Sequence, residues 1–276
     1  MTLTRSQVAE LLARHGLTPS RALGQNFVAD PNTVRRIARL SGVGPGDHVV
    51  EIGPGLGSLT LALAETGAAV TAVELDRHVL PALREVVDGH GVTIVEGDAL
   101  TLDWAGVLAG ADRWTLVANL PYNVATPLVL DILDGVPAVA TMLVMVQREV
   151  GERLAAPVGS KAYGIPSVKV AYHATAEVVG RVPATVFVPK PRVESVLVRI
   201  QRRPGGPAVA ADPNRLFALV RAGFGQRRKM LRRSLAALVD DTALERAGVR
   251  PEARAEELTI DDWGRLADAS PAAPGS

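Results

Sequence analysis

The 276-residue sequence contains no cysteine. Disulfides and thiolate chemistry are therefore excluded, and a reducing compartment is permitted. Aromatic residues are scarce, at 4 % of a chain that is 47 % hydrophobic, so the core must be built from Ala, Val and Leu. Long apolar runs are missing as well. The longest, from Val136 to Val146, is too short to span a bilayer and reads as a buried strand. The N-terminus carries no apolar signal core, so the expected location is the cytoplasm, with no membrane partner. Five histidines occur without metal-ligand spacing, and no metal site is expected. Net charge is only +1, so bulk charge does not announce a nucleic-acid partner. Its distribution does. Thirteen Arg and Lys residues between Arg181 and Leu235 face only Glu194 and Asp212, whereas 236–268 carries nine acids and four bases. Such asymmetry points to an anionic partner.

What is present is a regular alternation of strand and helix patterns. Thr4 to Arg14 reads as a short amphipathic helix with Thr4 and Gln7 as a capping box, and Asp30-Pro31 opens a second helix over Asn32 to Leu40. His48-Val49-Val50-Glu51-Ile52 is a strand that runs into Gly53-Pro54-Gly55-Leu56-Gly57 and then a helix from Ser58 to Thr66. Glycines at such a junction let a ligand approach the backbone, and their spacing is G-x-G-x-G, not the dinucleotide G-x-G-x-x-G. Ala69 to Val73 ends at Glu74-Leu75-Asp76, where a carboxylate can bind ribose hydroxyls; Asp76 suits the N-cap of the next helix, Arg77 to Val87. Val92 to Val95 ends in Glu96-Gly97-Asp98, an acid placed to accept from an adenine amino group. Trp114 to Val117 leads into Ala118-Asn119-Leu120-Pro121-Tyr122-Asn123, followed by a helix from Leu128 to Leu133 with Thr126 as N-cap and Pro127 at its first position. Four strand tips in succession thus carry the glycines, Glu74, Asp98 and Asn119. That order defines a nucleoside-binding, doubly wound α/β sheet.

Further on, Val139 to Val146 reads as a fifth strand and Arg148 to Leu154 as a helix. Gly164 to His173 is also helical, and Ala176 to Val182 and Val193 to Gln201 form a terminal strand pair. Arg202-Arg203-Pro204-Gly205-Gly206-Pro207 is a linker signal. The expected organisation is a catalytic domain at 1–203 with an N-terminal helical extension, a linker at 204–212, a helical domain at 213–268 and a disordered tail at 269–276.

Five segments, Leu23-Gly24-Gln25-Asn26-Phe27, Glu51 to Gly57, Val73 to Asp76, Gly97-Asp98-Ala99 and Asn119-Leu120-Pro121-Tyr122-Asn123, together resemble the ribosomal RNA adenine N6,N6-dimethyltransferases. Phe187-Val188-Pro189-Lys190-Pro191-Arg192-Val193-Glu194-Ser195 and Phe224-Gly225-Gln226-Arg227-Arg228-Lys229 extend the match almost to the C-terminus. The Asn-Leu-Pro-Tyr-Asn form resembles the housekeeping small-subunit enzymes more than the macrolide-resistance enzymes of the large subunit. Lys190 departs from the family, which often has proline there.

The resemblance implies a Rossmann-like S-adenosylmethionine-dependent methyltransferase fold with a small all-helical C-terminal domain. It implies S-adenosyl-L-methionine as cofactor, contacted by Gln25, Asn26, Val28, Gly53, Gly55, Glu74, Asp98 and Asn119. The implied reaction is double methylation, on each N6, of two adjacent adenines near the 3′ end of 16S rRNA, within a partly assembled 30S particle. A monomer is expected.

For the chemistry, the Asn119 side chain and the Leu120 carbonyl are assigned as acceptors from the N6 hydrogens, and Tyr122 and Phe187 as stacking partners for the adenine. A core or turn anchor is the plainer reading of Phe187. Arg221, Arg227, Arg228, Lys229, Arg232 and Arg233 are expected along one helix from Arg221 to Leu238, without compensating acids, as an RNA-binding face. Two other readings are weighed. One is a non-catalytic nucleic-acid-binding or assembly factor of the same fold, against which the complete Asn119-to-Tyr122 loop argues. The other is an NAD-dependent oxidoreductase, disfavoured by the glycine spacing and the lack of a placed proton donor.

Overall fold

A computed structural model describes residues 2–20, 23–121 and 124–270. In chain order the elements begin with α1 (Arg5–Arg14), β1 (Phe27–Val28), α2 (Pro31–Ser41), β2 (His48–Ile52), α3 (Ser58–Ala64), β3 (Ala69–Glu74) and α4 (Leu80–Val87). They continue with β4 (Thr93–Glu96), α5 (Trp104–Val107), β5 (Trp114–Asn119), α6 (Ala125–Gly135), β6 (Val139–Gln147), α7 (Arg148–Leu154) and α8 (Ile165–His173). The last are β7 (Ala174–Val182), β8 (Phe187–Val188), β9 (Ser195–Arg202), α9 (Pro213–Gly225), α10 (Leu231–Ser234), α11 (Asp241–Arg246) and α12 (Ile260–Ala269). Two compact units result, 1–151 with 177–201 and 152–176 with 202–276.

The first unit is built on a seven-stranded sheet in the order β4-β3-β2-β5-β6-β9-β7. β4, β3, β2, β5 and β6 pair in parallel, as their apolar runs require, and β9 joins β6 antiparallel, with Val144 opposite Val198. Strand order reverses at β2, which lies between β3 and β5. The crevice beyond the carboxyl ends of β2 and β5 is therefore a topological switch point, where such sheets place ligands. On one side of the sheet Val34 and Ile37 of α2 and Leu59 and Leu63 of α3 pack over Val49, Val117, Leu143 and Leu197. A separate two-strand pair sets Phe27 opposite Val188 and Val28 opposite Phe187. The architecture is a doubly wound, Rossmann-like α/β fold.

Local signals explain most helix starts. Thr4 and Gln7 form the capping box of α1, and the Asp30 carboxylate accepts from Thr33 N at 2.8 Å at the head of α2. Two starts differ from expectation. α6 begins at Ala125 after Val124 with no side-chain cap, because the Pro121 carbonyl accepts from Ala125 N at 3.1 Å and opens the helix itself. Thr126 and Pro127 are thus inside its first turn. Likewise Asp76 caps a turn, its carboxylate accepting from His78 N at 3.0 Å, and α4 starts only at Leu80.

The second unit has its own core, in which Val168 and Tyr172 of α8 pack with Leu216, Leu219 and Val220 of α9, Leu231, Leu244, and Trp263 and Leu266 of α12. Tyr163, 2 % exposed, donates from its hydroxyl to the Leu258 carbonyl at 3.0 Å. The expected single cut at 204–212 is therefore replaced by three crossings, at 151/152, 176/177 and 201/202, because α8 buries its apolar side against α9. Nor is the Pro/Gly-rich segment a free connector. Arg203 N donates to His173 O at 2.9 Å, Ala208 N to Tyr172 O at 2.7 Å, and Ala211 is 4 % exposed. At the other end α12 runs to Ala269 and Ser270 caps it; residues 271–276 lie outside the described residues.

Candidate active site

A cavity of about 190 Å³ opens at the carboxyl ends of β4, β3, β2 and β5. The four strand tips bring Asp98, Glu74, Gly53 and Asn119 to it in the spatial order of the sheet, and Gln25, Asn26 and Val28 close it from the N-terminal segment. The eight residues that the sequence grouped as a cofactor set thus line one cavity.

Several are also engaged with each other. Glu74 is 6 % exposed; one carboxylate oxygen accepts from Gly55 N at 3.0 Å and the other from Asp76 N at 2.9 Å. Burial holds its pKa above the usual carboxylate range, and these backbone donors offset that only in part. Each oxygen keeps a further lone pair for a ligand hydroxyl. Gln25 is held at both ends of its amide, donating to Asp76 Oδ2 at 2.8 Å and accepting from Ser20 N at 2.8 Å. It latches the N-terminal segment to the β3 tip. Asn26 donates to Gly24 O at 3.0 Å, and its own carbonyl accepts from Asn119 Nδ2 at 3.1 Å. At Asp98 one carboxylate oxygen accepts from Leu100 N at 3.0 Å.

These residues fit S-adenosylmethionine. Gly55 stands with φ +56, and a Cβ there would come within 2.8 Å of the Phe27 ring, so the loop stays bare backbone. Leu75 and Leu100, 54 % and 42 % exposed, line the cavity beside the two acids, an apolar rim suited to a flat base. The lining contains Glu51, Glu74, Asp76 and Asp98 but no Lys, Arg or His among the described residues, which suits a cationic ligand.

Three features escaped sequence reading. Leu75 and Leu100 at the rim carried no local signal, and Asp76 acts through a partner 51 residues away. Glu51 did carry one, being an acid inside an apolar strand. It is 1 % exposed, lines the cavity, and burial pushes its pKa up to about 8.

Leu120 is 1 % exposed, its N–H donates to Met145 O at 3.1 Å, and it is not among the residues that line the cavity, unlike its neighbours Asn119 and Pro121. Tyr122 lies outside the described residues. Phe187 corrects the stacking expectation: it is 1 % exposed and packs among Val28, Val34, Met145 and Leu197, offering no open face. Its apolar ring is worth more in that core than on the surface.

The basic residues of the second unit also differ from expectation. The helix expected over 221–238 is broken, since α9 ends at Gly225, Gln226 turns out of helical backbone, and Leu231 N and Arg232 N restart on the carbonyls of Ala253 and Pro251. Compensating acids arrive from distant sequence. Arg227 pairs with Glu256 and donates to Ser160 O at 3.3 Å, and Arg232 lies 3.6 Å from Glu252. Arg221, Arg228, Lys229 and Arg233 are exposed and make no ion pair among the described residues.

A doubly wound sheet with a bare glycine loop and acids on two adjacent strand tips defines an S-adenosylmethionine-dependent methyltransferase. Residues 17–270 match the family description "Ribosomal RNA adenine dimethylase". The chain is 46 % identical over 283 residues to a Bifidobacterium adolescentis protein named ribosomal RNA small subunit methyltransferase A, covering 97 % of this chain and 93 % of that protein. It is 47 % identical over 280 residues to the Thermobifida fusca protein of the same name, covering 98 % and 96 %. Among solved structures, the 23S rRNA methyltransferase ErmE superposes with TM-score 0.69 at 26 % identity, covering 88 % of this chain and 99 % of that one. A dimethyladenosine transferase from Plasmodium falciparum shares the fold, with TM-score 0.73 at 22 % identity over 86 % and 94 %. The chain belongs to the ribosomal RNA adenine dimethylase family, and its cofactor is S-adenosylmethionine. No helix among the described residues is long and apolar enough to cross a membrane.

Proposed function

We propose that this protein methylates, twice each, the N6 amines of two adjacent adenines near the 3′ end of 16S rRNA, acting as a cytoplasmic monomer on a partly assembled 30S particle. The observation that carries the reading is the placement of Asn119 at the tip of β5, beside a cavity whose other tips present Glu74 and Asp98.

Bound S-adenosylmethionine supplies a methyl already activated by the sulfonium charge. The residues of the chain have to align the acceptor nitrogen and localise its lone pair, which is otherwise delocalised into the ring. Glu74 serves the ribose hydroxyls and Asp98 the adenine amine of the cofactor. Asn119 Nδ2 is held by Asn26 O, so Oδ1 is the atom left to accept from the substrate N6–H. The Leu120 carbonyl takes the second hydrogen and draws the nitrogen toward a tetrahedral shape. After attack the nitrogen is cationic and acidic, so no strong general base is needed. The second round has one N–H to offer, and one acceptor suffices. Tyr122 is assigned to stack on the adenine; Phe187 belongs to the core of the first unit. Arg221, Arg228, Lys229 and Arg233 are assigned to phosphates, with Arg227 and Arg232 partly neutralised by their acids.

The test is genetic and chemical. In cells lacking the protein, mass spectrometry of 16S rRNA should show the two adenines unmethylated, wild-type protein should restore N6,N6-dimethyladenosine, and Asn119→Ala should not. Full dimethylation without the protein would refute the reading.

A further inference from the structure

Beyond the cofactor cavity the carboxyl edge of the sheet continues. Asn119 stands opposite Met145 in the β5–β6 register, and β6 runs on to Gln147. Because β9 is antiparallel to β6, with Gln147 opposite Ser195, β9 begins at this same edge. The loop that delivers the chain to it, 189–194, therefore lies beside the tip of β6, on the side of Asn119 away from Glu74 and Asp98. Its other end is tied to the cavity wall. Val188, the residue before the loop, pairs with Phe27, and Phe27 and Val28 both line the cavity.

The loop is anchored and cationic. Pro191 is buried, whereas Lys190 and Arg192 on either side of it are exposed. Proline at 189 and 191 fixes φ at both positions, so the backbone presents the two cations with little freedom left to lose. Glu194 is the one acid of the loop, and its carboxylate lies 3.4 Å from Arg148 Nη1. Neither Lys190 nor Arg192 has a hydrogen bond or ion pair among the described residues.

Two exposed cations are by themselves only a solvated face; their place on the sheet edge gives them a use. An adenine that reaches Asn119 has to leave its stack, and the phosphates flanking it then stay at the mouth of the site. The cavity lining offers those phosphates no cation, since it contains no Lys, Arg or His among the described residues. Glu74, Asp76 and Asp98 repel a phosphate from the cofactor's end of the edge, and the cations on the other side of Asn119 attract it.

We propose that loop 189–194 is a phosphate clamp, in which Lys190 and Arg192 hold the RNA backbone next to the adenine that Asn119 receives. The proposal rests on the reading of Asn119 as the place where the acceptor amine is held. Arg192 can engage two phosphate oxygens with its planar fork, and Lys190 acts as a point charge. At position 190 the chain carries this cation where the family often has proline, so the contact is particular to this chain. Both are positioning residues: they touch phosphates and no reacting atom.

The test is methyl transfer to undermodified small subunits, followed between about 50 and 200 mM salt. Replacing both residues with Gln should raise KM for the subunit on the order of tenfold near the upper end, with a smaller effect on kcat. The plot of log kcat/KM against log salt should flatten by roughly 1.4 to 1.8, two contacts at about 0.7 to 0.9 each. S-adenosylmethionine affinity and melting temperature should stay at wild-type values. Lys190→Arg combined with Arg192→Lys keeps both charges and should keep the slope. Arg113→Gln removes an exposed cation next to the amino end of β5, on the opposite edge of the sheet, and should keep it too. A wild-type slope in the double Gln variant would overturn the proposal, as would an equal loss in Arg113→Gln. Loss in the charge-keeping variant, with a lowered melting temperature, would also overturn it and make the loop structural. Absence of transfer to small subunits by wild-type protein would instead overturn the methylation reading, and this proposal with it.

Discussion

The Asn119 carboxamide donates from Nδ2 to the main-chain carbonyl of Asn26 at 3.1 Å, across 93 residues of chain. One bond thereby fixes which end of the amide faces the cavity. It also ties the tip of β5 to the N-terminal segment that closes the cavity, where Gln25 is latched to Asp76.

Asn119→Asp should therefore fail as badly as Asn119→Ala, although it keeps an acceptor. A carboxylate oxygen would face the Asn26 carbonyl oxygen and turn away. Loss of alignment at the reacting nitrogen should cost on the order of 100-fold in single-turnover rate at saturating cofactor. A near wild-type rate in Asn119→Asp would mean that the bond to Asn26 does not set the orientation.

Glu74 and Asp98 should separate. Asp98→Ala removes an acid of intermediate exposure and should weaken cofactor binding by about 1–3 kcal/mol with little change in melting temperature. Glu74→Ala should lower both, since its two oxygens hold Gly55 N and Asp76 N. Equal melting temperatures for the two variants would contradict the burial argument.

Phe187→Ala should destabilise the first unit by about 3–5 kcal/mol, the usual cost of deleting a buried aromatic ring. A surface stacking role predicts the opposite pattern, an unchanged melting temperature and a raised KM for RNA. Thermal melts beside steady-state kinetics distinguish the two.

The pH dependence of stability follows from Glu51. Its folded-state pKa is raised from 4.5 to about 8, so its contribution is fully present below about pH 4.5 and is lost as pH rises towards 8. Cofactor-free wild-type protein should thus lose more stability between about pH 5 and 8 than Glu51→Gln. Parallel melting curves across that range would show that Glu51 is already ionised.

The basic residues divide by their partners. Gln replacements at Arg228, Lys229 and Arg233 should leave the fold intact and make log-affinity for RNA less steep in log-salt. Each phosphate interaction removed should flatten the slope by roughly 0.7 to 0.9. Arg227→Gln should instead lower the stability of the second unit, because it breaks the bonds to Glu256 and Ser160. An unchanged slope in the triple variant would place the RNA elsewhere.

Much of this was legible in the sequence because it is local. The alternation of apolar strands with capped helices gives the sheet, and the four tips are each named by the residues that follow a strand. What was not legible is long-range pairing. Arg227 looks unopposed in sequence because Glu256 lies 29 residues on, and α8 reads as part of the sheet domain because nothing local says that Tyr172 packs on Phe217 of α9. Phe187 stood in a motif that suggested an exposed ring, and only its neighbours show it to be core. Glu51 was visible as an oddity, but its unpartnered oxygen appears only when β2 and α3 are packed together.

The central claim is tested most directly by supplying labelled S-adenosylmethionine with undermodified small subunits, large subunits and naked 16S rRNA, followed by nucleoside analysis. The account predicts label in N6,N6-dimethyladenosine from two adjacent adenines of the small subunit, with none in the large subunit. Label in the large subunit, or none in small subunits despite measurable cofactor binding, would contradict it.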